Sequence, residues 1–298
     1  MEAKVAIILV NYNGEKYNEE CINSILKSTY KNYEIIVIDN NSTDNSVKLL
    51  EEKFNSDIKI IMSDSNLGFS GANNLGIKYA LNNGFDYVML LNNDTIIESD
   101  MIELMIDASD SKYVISPKIY YYDNKNIIWS AGGGMNWIKG LPIQYGINEL
   151  DSYENNKKKN IEFATGCCIL IPIECIEKIG LMSEEYFLYY EDTDYCVRMI
   201  RSGYEIYFEP KAVMYHKVSA STGGEKSKTY WYYMIRNRLL FNKKFNEKIF
   251  SYRLYFFLTT SVKLFKYLFK RERVKLEGTI NGIFDFFKGA EGKVKVNK

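Results

Sequence analysis

Three carboxylates fall within four residues at Glu191, Asp192 and Asp194, directly after the aromatic run Phe187-Leu188-Tyr189-Tyr190. A helix N-terminus accepts acidic groups against its dipole, and some of these carboxylates are satisfied that way. Three exceed what capping requires. Aromatic surface also desolvates a carboxylate and makes it more basic, which suits a group that takes a proton from a hydroxyl. Asp192 is assigned that role, with Glu191 or Asp194 as a capping or orienting group.

A further carboxylate, Asp94, ends the apolar run Val88-Met89-Leu90-Leu91 after Asn92 and Asn93. Mg²⁺ or Mn²⁺ bridging two phosphates needs only one or two protein ligands at such a strand end, because substrate oxygens and water complete its shell. Alone in a turn, Asp94 would more often be a helix cap than a ligand. The only histidine, His216, ends another apolar run, Val213-Met214-Tyr215. Folded back beside Asp94, its imidazole completes a metal site; elsewhere it is an ordinary structural histidine.

Polar residues gather at further run ends: Asn11-Tyr12-Asn13, Asp39 through Asp44, and Asn66 through Asn74. Asp39 stands where a strand stops and suits hydrogen bonds from a base, Tyr12 suits packing on the base face, and the glycines let backbone approach a ribose or phosphate. Ser42 and Asp44 read as helix caps.

The elements that must position these groups follow from periodicity. Val5–Val10, Ile35–Ile38, Ile58–Met62 and Tyr87–Leu91 read as buried strands, rich in β-branched residues and ending abruptly in polar ones. Glu19–Ser28, Asp44–Phe54 and Gly71–Asn82 carry helical spacing between them. The result is an open α/β sheet that binds ligands at its carboxyl edge. Residues 112–170 read as shorter strands and loops, with 151–160 a polar, lysine-bearing loop, and from about 228 the pattern turns helical and aromatic.

A chain of 298 residues, 46% hydrophobic, buries a sizeable core. Five scattered cysteines lack CxxC pairing and read as reduced, structural thiols of a cytosolic protein. The short apolar stretch after Lys4 reads as a strand, not a signal peptide, and no window offers the ~20 apolar residues of a spanning helix. Formal charge is zero overall, yet residues 241–298 hold 14 Lys/Arg against 5 Asp/Glu, so that segment is +9 and the remainder −9. A basic aromatic helix there suits an anionic membrane surface, while packing on the catalytic domain or a second subunit is the plainer alternative.

In order, VNYNG, VIDNNSTDNS, NLGFSGANN, LLNNDT, ATGCCILIP, YYEDTDYCVRMIRSGY, YHKVSAST and YYMIRNRL resemble the inverting glycosyltransferase family 2 with the GT-A fold, in its rhamnosyltransferase-like subgroup. The resemblance runs over residues 4–245, and Gly282 through Gly289 is similar to that subgroup's ending. It implies a GT-A catalytic domain over 1–227, with a donor half to about 100 and an acceptor half from 101, and a helical extension over 228–298. Asn11, Tyr12 and Asp39 would hold the nucleobase, and Asn66, Asn73, Asn92 and Asn93 would line the nucleotide-sugar side. Asp94 and His216 would bind Mn²⁺ or Mg²⁺, Asp192 would be the catalytic base, and Thr165, Gly166, Cys167 and Glu191 would face the acceptor.

The family's usual Asp-x-Asp is here Asn92-Asn93-Asp94. A neutral amide at the first place binds a hard cation less strongly than a carboxylate. The expected reaction moves a sugar from a nucleotide diphosphate, dTDP-rhamnose or a UDP-sugar, to a glycan or lipid-linked acceptor for cell-surface polysaccharide. The expected location is the cytoplasm or the inner face of the cell membrane, as monomer or homodimer and without nucleic acid. A nucleotidyltransferase fits less well, since Val10–Lys16 has one glycine and no arginine; a nicotinamide enzyme fits worse, for no G-x-G-x-x-G follows the first strand. A non-catalytic sugar-binding module of the same fold is the third alternative.

Overall fold

The computed structural model describes residues 2–218 and 227–295. The Ser219–Thr222 end of YHKVSAST therefore lies outside the described residues. The first half alternates β1 (Val5–Asn11), α1 (Asn18–Leu26), β2 (Tyr33–Asp39), α2 (Ser46–Phe54), β3 (Ile58–Met62), α3 (Gly68–Asn82) and β4 (Tyr87–Asn92). Then come β5 (Thr95–Ile97), α4 (Met101–Ser109), β6 (Val114–Tyr121), β7 (Ile128–Ser130), β8 (Gly133–Asn136), β9 (Leu141–Gln144) and β10 (Lys159–Ile161). The rest is β11 (Cys168–Pro172), α5 (Ile173–Ile179), α6 (Glu191–Arg201), β12 (Ile206–His216), α7 (Lys228–Phe245), α8 (Ile249–Phe269) and α9 (Arg273–Phe287).

One mixed sheet runs in the order β10-β12-β6-β11-β4-β1-β2-β3, with β5 paired to β12 and β7 to β6. Strands β3, β2, β1 and β4 are mutually parallel, while β11 inserts antiparallel between β4 and β6. The parallel strands lack polar alternation because both faces are covered. Ile8, Ile36 and Leu90 pack under α3 and α6, whereas Ile7, Val37 and Met89 pack under α1, α2 and α4. All five cysteines are free and buried. This is the α/β, GT-A arrangement that the sequence motifs lead one to expect.

Two expectations change. Residues 151–160 are not simply a loop: Tyr153–Asn156 forms a 3₁₀ turn and Lys159–Ile161 pairs with β12. Lys118, buried on β6, donates to Asp151 and to Asn156 Oδ1 at 2.6 Å, so a lone buried ammonium organises this segment. Helix α3 also starts three residues earlier than the apolar period predicts, at Gly68. Its φ of +73° and the carbonyl of Phe187, 2.2 Å from where a Cβ would stand, explain the glycine there.

Candidate active site

Asp94 and His216 lie 122 residues apart in sequence and side by side in the fold. Strand β5 pairs antiparallel with the end of β12, opposing Thr95 to His216, and Lys217 N donates to Asp94 O at 2.9 Å. A register shift between Glu209 and Val213, at Pro210, bends β12 so that its second half reaches β5. His216 Nε2 then stands 3.2 Å from Asp94 Oδ1, with Trp129 edge-on against the imidazole. Among the described residues neither Asp94 Oδ1 nor His216 Nδ1 has a hydrogen-bond partner, although both are buried. A nitrogen and an oxygen so placed fit two neighbouring ligands of one cation with bonds of about 2.1 Å. Among the described residues no group of three or more His, Cys, Asp or Glu converges on a metal position.

The polar rim forms at the carboxyl ends of β1, β2 and β4. Asp39 is fully buried, accepting from Asn11 Nδ2 at 2.8 Å and from Ser42 N at 3.1 Å. Asn11 Oδ1 accepts from Asn18 Nδ2, and Asn18 Oδ1 accepts from Asn93 Nδ2 at 2.7 Å. A relay of side-chain amides thus joins Asp39 to the Asp94 turn. Gly14 closes over it: a Cβ there would stand 2.4 Å from both Asn11 Oδ1 and Asn93 Nδ2. Asn18 was not among the residues singled out from sequence, where it looks like any residue opening a helix.

Asn11 and Asn73 are buried and their amides are taken by protein, Asn73 donating to Phe69 O one turn back in α3. They hold the rim from inside. Tyr12, 43% exposed, stands at its surface. Asn66 accepts from Gly68 N and from Asn40 Nδ2, and Asn40 Oδ1 accepts from Leu67 N, so the loop before α3 is tied to the end of β2. The N-cap of α2 is Asn45, not Ser42 or Asp44: Ser42 Oγ accepts from Asn11 Nδ2 and Asn13 N, and Asp44 accepts from Ser46 Oγ and N, bonds that outweigh burial and hold its carboxyl below the usual range. Asn92 is partly exposed and its backbone N–H donates to Cys167 O.

That last bond brings the Thr165-Gly166-Cys167 loop beside the Asp94 turn, since Cys168 of β11 opposes Leu91 of β4. Gly166 N donates to Asp192 Oδ2 at 3.0 Å, and Thr193 N and Oγ1 donate to Oδ1. Burial pushes the Cys167 thiol well up, with Asp94 and Asp192 adding to it. Burial also raises Asp192, against the hydrogen bonds that favour its anion. Glu191 is raised further, by burial and then by the neighbouring Asp192, and its Oε2 has no partner. The donors to Asp192 favour its anion, and among the described residues Glu191 Oε2 receives none. Asp194 is structural: buried, it binds Arg198 Nε at 2.6 Å, Tyr186 Oη and Lys244.

The loop before α6 is strained. Phe187, Tyr189 and Tyr190 have φ of +64°, +67° and +74°, costly for bulky side chains. Asn237 of α7 holds it, donating to the carbonyls of Tyr186, Leu188 and Tyr189 at 2.9, 2.6 and 2.9 Å. Fully buried Arg236 donates to Tyr186 O and Gly292 O at 2.8 Å and to Glu185 O at 3.1 Å. Both lie in YYMIRNRL, which sequence reading places in order without seeing what they grip.

Residues 6–180 match the family described as Glycosyl transferase family 2. The low-salt glycan biosynthesis hexosyltransferase Agl10 of Haloferax volcanii is 31% identical over 68% of this chain, which spans 63% of that relative's length. The dTDP-rhamnosyl transferase RfbF of Shigella flexneri is 25% identical over 82% of this chain and 81% of its own. A crystal structure of GalNAc-T7 with UDP, GalNAc and Mn²⁺ superposes with a TM-score of 0.64 at 17% identity, covering 78% of this chain and 47% of that one, a likeness of fold. With more than half its length inside the family match, the chain belongs to glycosyltransferase family 2.

Proposed function

We propose that this chain transfers a sugar from a nucleoside-diphosphate donor to a hydroxyl of a glycan or lipid-linked acceptor in polysaccharide synthesis, with inversion at the anomeric carbon. The observation that carries the reading is Asp192, a carboxylate at the start of α6 that accepts from Gly166 N and from Thr193 N and Oγ1, with Glu191 beside it. In this reading the acceptor O–H gives its proton to Asp192 while its oxygen bonds the anomeric carbon, and the bond from that carbon to the diphosphate breaks. Thr165, Gly166, Cys167 and Glu191 border the acceptor.

On the donor side, Asp39 and Tyr12 receive the base, Asn66, Asn92 and Asn93 line the sugar-diphosphate, and Asn11 and Asn73 position them. The fit of Asp94 and His216 supports a Mn²⁺ or Mg²⁺ ion, which would offset charge on the leaving diphosphate. The donor half lies in residues 1–100, the acceptor half in 101–227, and 228–298 forms the extension. RfbF supports dTDP-rhamnose as donor, and the UDP of the GalNAc-T7 structure supports a UDP-sugar.

Thermal-shift screening of nucleotide sugars with Mn²⁺ identifies the donor, and transfer is then measured with it. Asp192→Asn should lower kcat by roughly 10²–10⁴-fold while leaving donor affinity unchanged. Near-normal transfer by that variant removes Asp192 from the base role. In Asp94→Asn or His216→Ala the Mn²⁺-dependent part of the shift should disappear; a donor shift indifferent to metal in the unaltered chain speaks against the site.

A further inference from the structure

Helix α8 carries its charge in an unusual place. Its buried side is Tyr252, Phe256, Thr260 and Tyr267, packed toward α7 and α9. At about 100° per residue, Phe250, Leu254, Phe257, Leu258, Phe265 and Phe269 cluster on the opposite side. Each is more than half exposed. A helix on the surface of a protein in water normally turns this side polar. Here Arg253 and Lys266 fall along the flanks of the apolar stripe, while Lys263 lies on the inward side toward Arg238. The stripe continues onto α9 through Ile280, Phe284 and Phe287. Beside it a cavity of about 600 Å³ is lined by Leu239, Tyr252, Phe256, Ile283 and Phe286, and reaches the exposed Phe257 and Phe287.

We infer that the outward faces of α8 and α9 are a docking surface for an anionic lipid bilayer, lying in its interface plane with the phenylalanines below the headgroups. Among the described residues no helix is long and apolar enough to cross a membrane, so the contact is lateral. Charge selects the lipid over a second copy. A twofold contact sets each surface against its twin, and α8 carries three Lys/Arg and no Asp or Glu. Two such surfaces repel, whereas an anionic leaflet neutralises each one. This inference stands apart from the transfer reaction, and neither depends on the other.

The test uses the full chain in flotation with vesicles of phosphatidylcholine, alone or mixed with phosphatidylglycerol. The chain should float with the mixed vesicles and lose about tenfold in partitioning on neutral ones or in about 0.5 M salt. The exposed double variant F257S/F265S should lose a further order of magnitude on mixed vesicles. Circular dichroism should show it folded as before. Failure to float with mixed vesicles overturns the inference, as does equal partitioning to neutral vesicles. So does a dimer in analytical ultracentrifugation that F257S/F265S converts to monomer, since a second copy then covers the face.

Discussion

Glu191 and Asp192 are adjacent carboxylates on one helical turn with surroundings of different kinds. Asp192 receives backbone and hydroxyl donors, while Glu191 Oε2 receives none. Because folding raises Glu191, the native state binds more protons than the unfolded chain above the ordinary glutamate range. Its contribution to stability is complete below that range and is lost as pH rises through the raised value. Urea denaturation across pH should therefore show a decline that Glu191→Gln flattens. Asp192 is raised as well, so the ascending limb of kcat/KM should lie above the ordinary aspartate range, read from a pH–rate profile. Gly14 is a second residue-scale case, where the need is space. In Gly14→Ala the new Cβ displaces Asn11 and Asn93, and we expect a loss of about 1–3 kcal/mol by chemical denaturation. The sequence made Asp39, Asp94 and Asp192 visible because each follows an apolar run. It left Asn18 invisible, because its partners Asn11 and Asn93 come from two other strand ends.

Between elements, the decisive contact is α7 on the loop before α6. Three aromatic residues with positive φ stay in place because Asn237 and Arg236 occupy the carbonyls of Glu185, Tyr186, Leu188 and Tyr189. Asn237 is a positioning residue. Asn237→Ala should cost about 1–3 kcal/mol and lower kcat more than it raises donor KM, because the loop leads into Glu191 and Asp192 and meets the nucleotide rim only through Phe187, whose carbonyl accepts from Phe69 N. Steady-state kinetics with donor varied at fixed acceptor measures the split, and equal loss in both parameters would place the contact elsewhere. None of this is legible in sequence. Positive φ at Phe187 or Tyr190 runs against the propensity of aromatic residues, and only contacts some 50 residues distant maintain it. For the same reason 151–160 looked like a loop: its polar composition is answered by Lys118, which reads as a surface residue until the fold buries it.

Across the whole molecule, the parallel half of the sheet was legible because strands buried on both faces are uniformly apolar and helices between them are periodic. The antiparallel additions were less so, for β5, β7 and β10 are three residues each and are defined by their partners. The extension is tied to the rest by more than helix packing. Beyond α9, Gly292 O accepts from Arg236, Val294 N donates to Tyr233 Oη, and Lys293 Nζ reaches Asn66 O at 3.0 Å. Removing residues 291–298 should therefore lower kcat at least tenfold, with a loss on the order of 1–3 kcal/mol in stability, measured on the purified truncated chain. The same tie orders events during synthesis. A chain emerging from the ribosome completes its sheet long before residues 292–294 are out, and until then Arg236 lacks one of its carbonyls and the loop carrying the acidic pair stays unfastened. Asn66, too, lacks its contact with Lys293 until then, so the loops before α3 and before α6 receive their last fastening together.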